Sequence, residues 1–140
     1  MKEKTTIPAF SFQSHKIPEF TYTTPAVDQS SIAVLFAPSG VYTPKTGIFK
    51  LDVEFKATYG EPDSTTFSTI KIEGYFKFEP NTPLEKFPEY FYANSIAILY
   101  PYLRAFLTTL TSVANVKPLI LPTLNLQDLA NPLKENIEIV

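Results

Sequence analysis

The sequence predicts an α+β fold, an antiparallel sheet backed by one long and one short helix toward the C-terminal end. Two observations carry this. Residues 48–79 alternate apolar and polar side chains in two consecutive runs, the period of strands with one buried face. Residues 98–126, ILYPYLRAFLTTLTSVANVKPLILPTLNL, then change to a helical period, break at Pro118 and continue as an apolar, proline-stiffened loop. At 140 residues the chain makes one domain with a core of its own.

Taken in order, residues 1–8 are polar and end in Pro8, which predicts a frayed start. Ala9 to Tyr22 reads as a strand carrying Phe10, Phe12, Ile17, Phe20 and Tyr22. Pro18 interrupts it and lacks a ladder donor, so the strand belongs at a sheet edge or carries a bulge there. Thr23 to Ser31 is a polar turn region around Pro25. Ser31 to Ala37 fits either a short apolar strand or a loop segment pressed onto the core. Pro38 to Thr46 has turn chemistry throughout, with Tyr42 an apolar knob in its middle.

The alternating pair is the clearest part. Phe49, Leu51, Val53, Phe55, Ala57 and Tyr59 share one face of the first strand, with Lys50, Asp52, Glu54, Lys56 and Thr58 on the other. Ile70, Ile72, Gly74, Phe76 and Phe78 repeat the inward set in the second strand. Residues 60–64 join the two at hairpin length. A proline-rich connector leads to a helix from about Glu89, with Asn94 a cap candidate inside the run. Pro101 demands either a kink or a helix that starts near it. The apolar stripe of this helix is Leu99, Tyr102, Leu103, Phe106, Leu107, Leu110 and Val113, and Thr111 to Asn115 ends it. A short second helix follows, capped by Thr123 or Asn125, with Asp128 in capping-box style and Pro132 as its limit. Residues 134–140 are expected to be loose.

Composition excludes several classes. A formal charge of −2 gives no electrostatic case for nucleic acid or an anionic membrane. No apolar run approaches 18 residues unbroken, and the start lacks the apolar core of a signal peptide, so a cytoplasmic protein without membrane insertion is expected. The absence of Cys removes disulfides and thiolate metal sites. His15 is the only histidine, no nucleophile motif accompanies it, and no glycine loop is built to cradle phosphate. Asp52, Glu54, Glu73 and Glu79 read as alternating surface charges. No catalytic residue, metal or cofactor is expected. The chain is instead rich in aromatic side chains, with 12 Phe and 8 Tyr against 4 Gly. These either fill the core or line a groove or an oligomer contact.

Ile98-Leu99-Tyr100-Pro101-Tyr102-Leu103-Arg104, then Leu107, Thr108 and Ser112, and after the loop Leu121-Pro122-Thr123-Leu124-Asn125-Leu126, resemble two motifs of the SecB family of export chaperones. Gly74-Tyr75-Phe76 is similar to that family's glycine-containing strand, and the resemblance spans roughly residues 47–131. It implies a four-stranded antiparallel sheet with the helices on one side. It further implies a tetramer, a dimer of dimers with the long helices between, or a simple dimer. Such an assembly holds precursor polypeptides unfolded and hands them to the SecA motor. Two departures stand out: Thr123 replaces a proline, and Thr69 occupies the position of an acidic residue that recruits SecA. Solitary family members, including chaperones that guard an antitoxin, keep the helix motif without export duty.

The expected function is ATP-independent binding of unfolded or precursor polypeptides in apolar grooves. A hydrophobic small-molecule carrier and a dedicated antitoxin-type chaperone are the alternatives. Candidate peptide-binding residues are Phe36, Tyr42, Leu119, Ile120, Leu121 and Leu124, with core plugs the competing role for residues 119–121. Candidate oligomer-interface residues are Tyr102, Arg104, Phe106 and Leu110, with Arg104 as a paired arginine at the subunit contact.

Overall fold

In the computed structural model the alternating runs pair as β3 (Ile48–Tyr59) and β4 (Thr66–Phe78), antiparallel, with Phe49 opposite Phe76, Val53 opposite Ile72 and Phe55 opposite Ile70. The described residues are 9–24, 32–59, 65–121 and 124–140. The frayed start, the turn region at Pro25, the 60–64 loop, Pro122 and Thr123 lie outside them. Both strands bury the predicted face: Phe49, Leu51, Phe55 and Ala57 on β3, and Ile70, Ile72, Phe76 and Phe78 on β4. β1 (Phe10–Tyr22) pairs with β4 and forms one edge of the sheet. Its register shifts between Lys16 and Glu19, bracketing Pro18, and again between Phe12 and Ser14. The edge placement and the bulge that Pro18 required are both present.

Two expectations are corrected on the other side of the sheet. Pro38 to Thr43 is not a turn: β2 runs unbroken from Ile32 to Thr43 along β3, and the turn is confined to residues 44–47. The backbone parity explains how Pro38 fits. Gly40 N–H bonds the Asn136 carbonyl and the Tyr42 carbonyl accepts from Val140 N–H, so even-numbered residues of β2 turn their backbone groups away from β3. Pro38 shares that parity, and its missing donor faces the outer edge of β2 rather than the ladder. Gly40 is required for a different reason, since a Cβ there would overlap the Phe49 ring. The second correction is the tail. Ile137–Ile139 forms β5, parallel to β2 beside Gly40–Tyr42, so the sheet is five-stranded and mixed, in the order β1-β4-β3-β2-β5. It is therefore not the four-stranded antiparallel sheet expected.

The long helix α1 (Phe91–Val113) runs 23 residues with Pro101 inside it, so it neither starts there nor uses Asn94 as a cap. Asn94 N–H already bonds the Tyr90 carbonyl within the first turn. Pro101 and Ala97, whose carbonyl it leaves without an amide partner, are both exposed, which keeps the lost bond open to water. After the loop, Asn125 Oδ1 accepts from Gln127 N–H and starts a 3-10 turn at Leu126–Leu129 that runs into α2 (Ala130–Lys134). Pro132 lies inside that helix rather than limiting it, in the first turn, where no intrahelical donor is needed. Lys134 pairs with Glu89 and lies 5.1 Å over the Tyr92 ring, which ties α2 to the start of α1.

Much of the aromatic surplus goes into the core at this end. Phe78 and Phe87 stack at 3.8 Å, and Phe91 meets Phe49, Phe76 and Phe78 edge-on at 5.0, 5.6 and 4.9 Å. Tyr42, expected to line a groove, is a fully buried member of this cluster, with its hydroxyl donated to the Thr82 carbonyl at 2.6 Å. Burial raises its phenol above the ordinary tyrosine range.

Candidate functional site

Helix α1 has three faces with different fates. Ile96, Leu99, Tyr100, Leu103, Leu107 and Thr111 form the face buried on the sheet. Gly74 sets how close that contact is, because a Cβ there would stand 2.7 Å from Leu99 Cδ2. Phe36 is half-buried beneath Tyr100, their rings 6.0 Å apart, and with Val53, Ile72, Ile96, Leu99 and Leu103 it lines a half-open gap of only 10 Å³. That is room for about one water, so no lipid fits between sheet and helix at this point. By length and hydropathy alone α1 could cross a membrane, yet here it is the helix that closes the core.

The second face runs along the edge strand. The His15 ring stacks on Tyr102 at 3.9 Å, Phe12 approaches Tyr102 at 6.0 Å, and Phe20 meets Phe106 edge-on at 4.9 Å. The bulge at Gln13 returns His15 to the inner face, opposite Gly74, where that glycine leaves it space to reach the helix. This seam is only partly covered: Phe20 is 47% exposed, Tyr102 40% and, beyond them, Val113 80%. Leu110 is half-buried.

The third face lies opposite the core, and the loop after α1 is fastened beside it. Thr108 Oγ1 donates to the Leu119 carbonyl at 2.8 Å, and Leu119 N–H donates to Thr111 Oγ1 at 2.8 Å. Both backbone groups of Leu119 are thus held by one turn of α1. The two residues that follow it meet opposite environments. Leu121 is a buried core residue, whereas Ile120 is 71% exposed. Between Ile120 and the helix lies an open furrow of 290 Å³, lined by Pro101, Arg104, Ala105, Thr108 and Ile120. The guanidinium of Arg104 rests 5.8 Å over the Tyr100 ring and makes no ion pair among the described residues.

The predicted residues therefore separate. Ile120 and Arg104 meet in the furrow, while Tyr102 and Phe106 lie along the seam with β1 and Leu110 is half-buried further along the helix. Leu119 and Leu124 are half-buried against the core. Leu121, like Tyr42, is corrected from groove lining to core, because the threonine clamp on Leu119 turns it inward. Pro101, Ala105 and Thr108 are not among the binding or interface candidates read from the sequence. Their signal was available: with Arg104 they recur at offsets of three, four and seven, a second helical line beside the more apolar one.

The outer face of the sheet is built differently. Glu73 receives Lys16 at 3.6 Å, Lys50 at 3.4 Å and the Tyr75 hydroxyl at 2.9 Å, Asp52 pairs with Lys50 at 3.6 Å, and Lys71 pairs with Glu19 at 3.5 Å. Burial alone would raise the Glu73 carboxyl, but the Tyr75 hydrogen bond and the two ammoniums outweigh it and hold the group below the ordinary glutamate range. Asp52, opposite it in the ladder, is pushed up by burial, and the Glu73 charge adds to what Lys50 fails to offset. Among the described residues no cluster of His, Asp and Glu is placed to hold a metal ion.

No protein-family profile matches the chain. An uncharacterized protein of Methanocaldococcus jannaschii, MJ0357, is 32% identical over 84 residues, covering 57% of this chain and 54% of that protein. The chain thus spans about half the length of the curated relative it matches. Among solved structures, the Mycobacterium tuberculosis SecB-like chaperone Rv1957, in complex with a ChAD peptide from the Rv1956 HigA1 antitoxin, superposes with a TM-score of 0.64. The identity is 17%, over 84% of this chain and 91% of that one. A Streptococcus agalactiae protein of unknown function superposes less well, with a TM-score of 0.47 and 10% identity over 81% of this chain and 97% of that one. The superposition on Rv1957 gives the chain a SecB-like fold, here with a mixed sheet of five strands.

Proposed function

We propose that this protein is an ATP-independent chaperone that holds unfolded polypeptide on the outer surface of α1 and the loop fastened to it. What supports the reading most is the composition of that surface. A helix facing water normally carries charge on its exposed side. In α1 the 23 residues include a single charged one, Arg104, while Tyr102, Val113 and the neighbouring Ile120 remain exposed. A charge-poor surface with large apolar side chains left exposed is the kind that marks a contact site. Each large apolar side chain that a client buries contributes roughly 1.5–3 kcal/mol, so a few of them, after ordering costs, give about micromolar affinity without demanding one sequence. The reading includes no enzymatic activity, a cytoplasmic setting and assembly of copies through Tyr102, Phe106 and Leu110. It is tested by adding stoichiometric protein to several chemically unfolded clients. Slower aggregation or refolding of most of them is expected, and no effect on any would end the general form of the proposal.

Export is the weaker form of this function. The position where the family's acidic residue would recruit SecA is Thr69, whose hydroxyl is engaged with that of Thr21 at 2.6 Å. A single dedicated client is the stronger second form, since the fold neighbour Rv1957 is in complex with an antitoxin peptide. Activity toward one partner and none toward generic unfolded proteins would select it.

A further inference from the structure

Resting on the proposed polypeptide binding, we propose that Arg104 selects an acidic residue in the client, so that the furrow takes an extended apolar segment bearing one carboxylate. Arg104 is the only charged residue of α1 and is half-buried. Among the described residues it meets no carboxylate, although the sheet face shows that this chain pairs its lysines readily. Its guanidinium is steadied over the Tyr100 ring, a contact that leaves the planar fork of donors unused. The rest of the furrow supplies nothing that competes. Pro101, Ala105 and Ile120 are apolar, and the Thr108 hydroxyl proton is already given to the Leu119 carbonyl. A partly desolvated cation in a neutral furrow is completed by an anion, and a fork geometry favours a carboxylate held by two parallel hydrogen bonds. Size favours a strand over a second copy's helix. The 290 Å³ furrow is at the lower end of small-ligand pockets, whereas a helix is ~10 Å across.

The test uses two end-labelled apolar peptides that differ only in a central Glu or Gln, titrated into the full chain by fluorescence anisotropy. Wild type is expected to bind the Glu peptide about tenfold more tightly. Arg104→Gln should bring that peptide down to the level of its Gln twin, and Arg104→Lys, a point charge without the fork, should keep part of the preference. Equal affinity of wild type for both peptides overturns the selection, as does a preference that survives Arg104→Gln. If unfolded clients are held but the two peptides bind alike, only the role of Arg104 fails; if neither peptides nor clients bind, the chaperone reading fails with it. A fall in particle mass for Arg104→Gln in light scattering would assign the cation to a contact between copies and likewise overturn the proposal.

Discussion

The outer face of the sheet and the outer face of α1 both look into solvent, yet they are finished to opposite plans. On the sheet, Glu73 gathers Lys16, Lys50 and Tyr75, and Lys71 answers Glu19, so charge is balanced within the face itself. On the helix, proline, alanine, tyrosine and valine stand open around one arginine that has no carboxylate among the described residues. The first surface is complete in a single chain. The second is not, and the proposed function rests on what that face leaves unsatisfied rather than on any reactive group.

Substitutions can break that contrast, and Phe106→Asp should do most. It sets an unpaired charge at the seam between α1 and β1, where Phe106 leans on Phe20. Loss of assembly in light scattering and loss of client holding are expected, with circular dichroism still reporting a folded domain. Unchanged size and unchanged holding would mean that this seam meets neither a second copy nor a client. Next come two adjacent residues with opposite fates. Leu121→Ala should cost ~2–5 kcal/mol in denaturant unfolding, because the side chain is buried. Ile120→Ser should stay within ~0.5 kcal/mol of wild type while client affinity falls about tenfold. Equal destabilisation by both would contradict the outward turn at Ile120.

The smallest effects belong to the sheet face and differ in sign. The lowered Glu73 value means that its pairing stabilises the fold above the unfolded glutamate range, near ~4.3, and that this is lost as pH falls through the lower folded value. Glu73→Gln should therefore lower the melting temperature at pH 7, by about 2 °C for ~0.5 kcal/mol, and have no effect in strong acid. Asp52 is raised, so its ionised form opposes folding once pH exceeds the folded value, a penalty absent below ~3.9. Asp52→Asn should raise the melting temperature at pH 7 by a similar small amount and leave it unchanged in acid. Melting curves at two pH values check both signs.

How much of this was legible depended on whether a signal was local. Period-two alternation names the buried faces of β3 and β4 residue by residue, and Pro18 announces an edge strand with a bulge. Pro38-Ser39-Gly40 carries the same chemistry as a turn, and only tertiary facts reverse it: an outer edge to receive the missing donor and a Phe49 ring lying over Gly40. A three-residue strand such as β5 has no period to read at all. At the site, the helical stripe was correct in spacing but gave no hint of which flank the sheet would cover. Tyr102 and Val113 stay out, and Tyr100 and Thr111, not placed in that stripe, go in. The inward turn of Leu121 depends on two threonine hydroxyls closing on a residue 8 and 11 positions away, which no local pattern records.

Pro38 has one more effect, on crowding of the molecules themselves. β5 screens only Gly40–Tyr42, so the stretch of β2 before it borders no described strand. Any foreign strand zipping along that rim would need an amide at position 38 and find a ring instead. The sheet thereby carries a built-in stop against runaway end-to-end stacking, a useful safeguard for a molecule that keeps greasy surface on display.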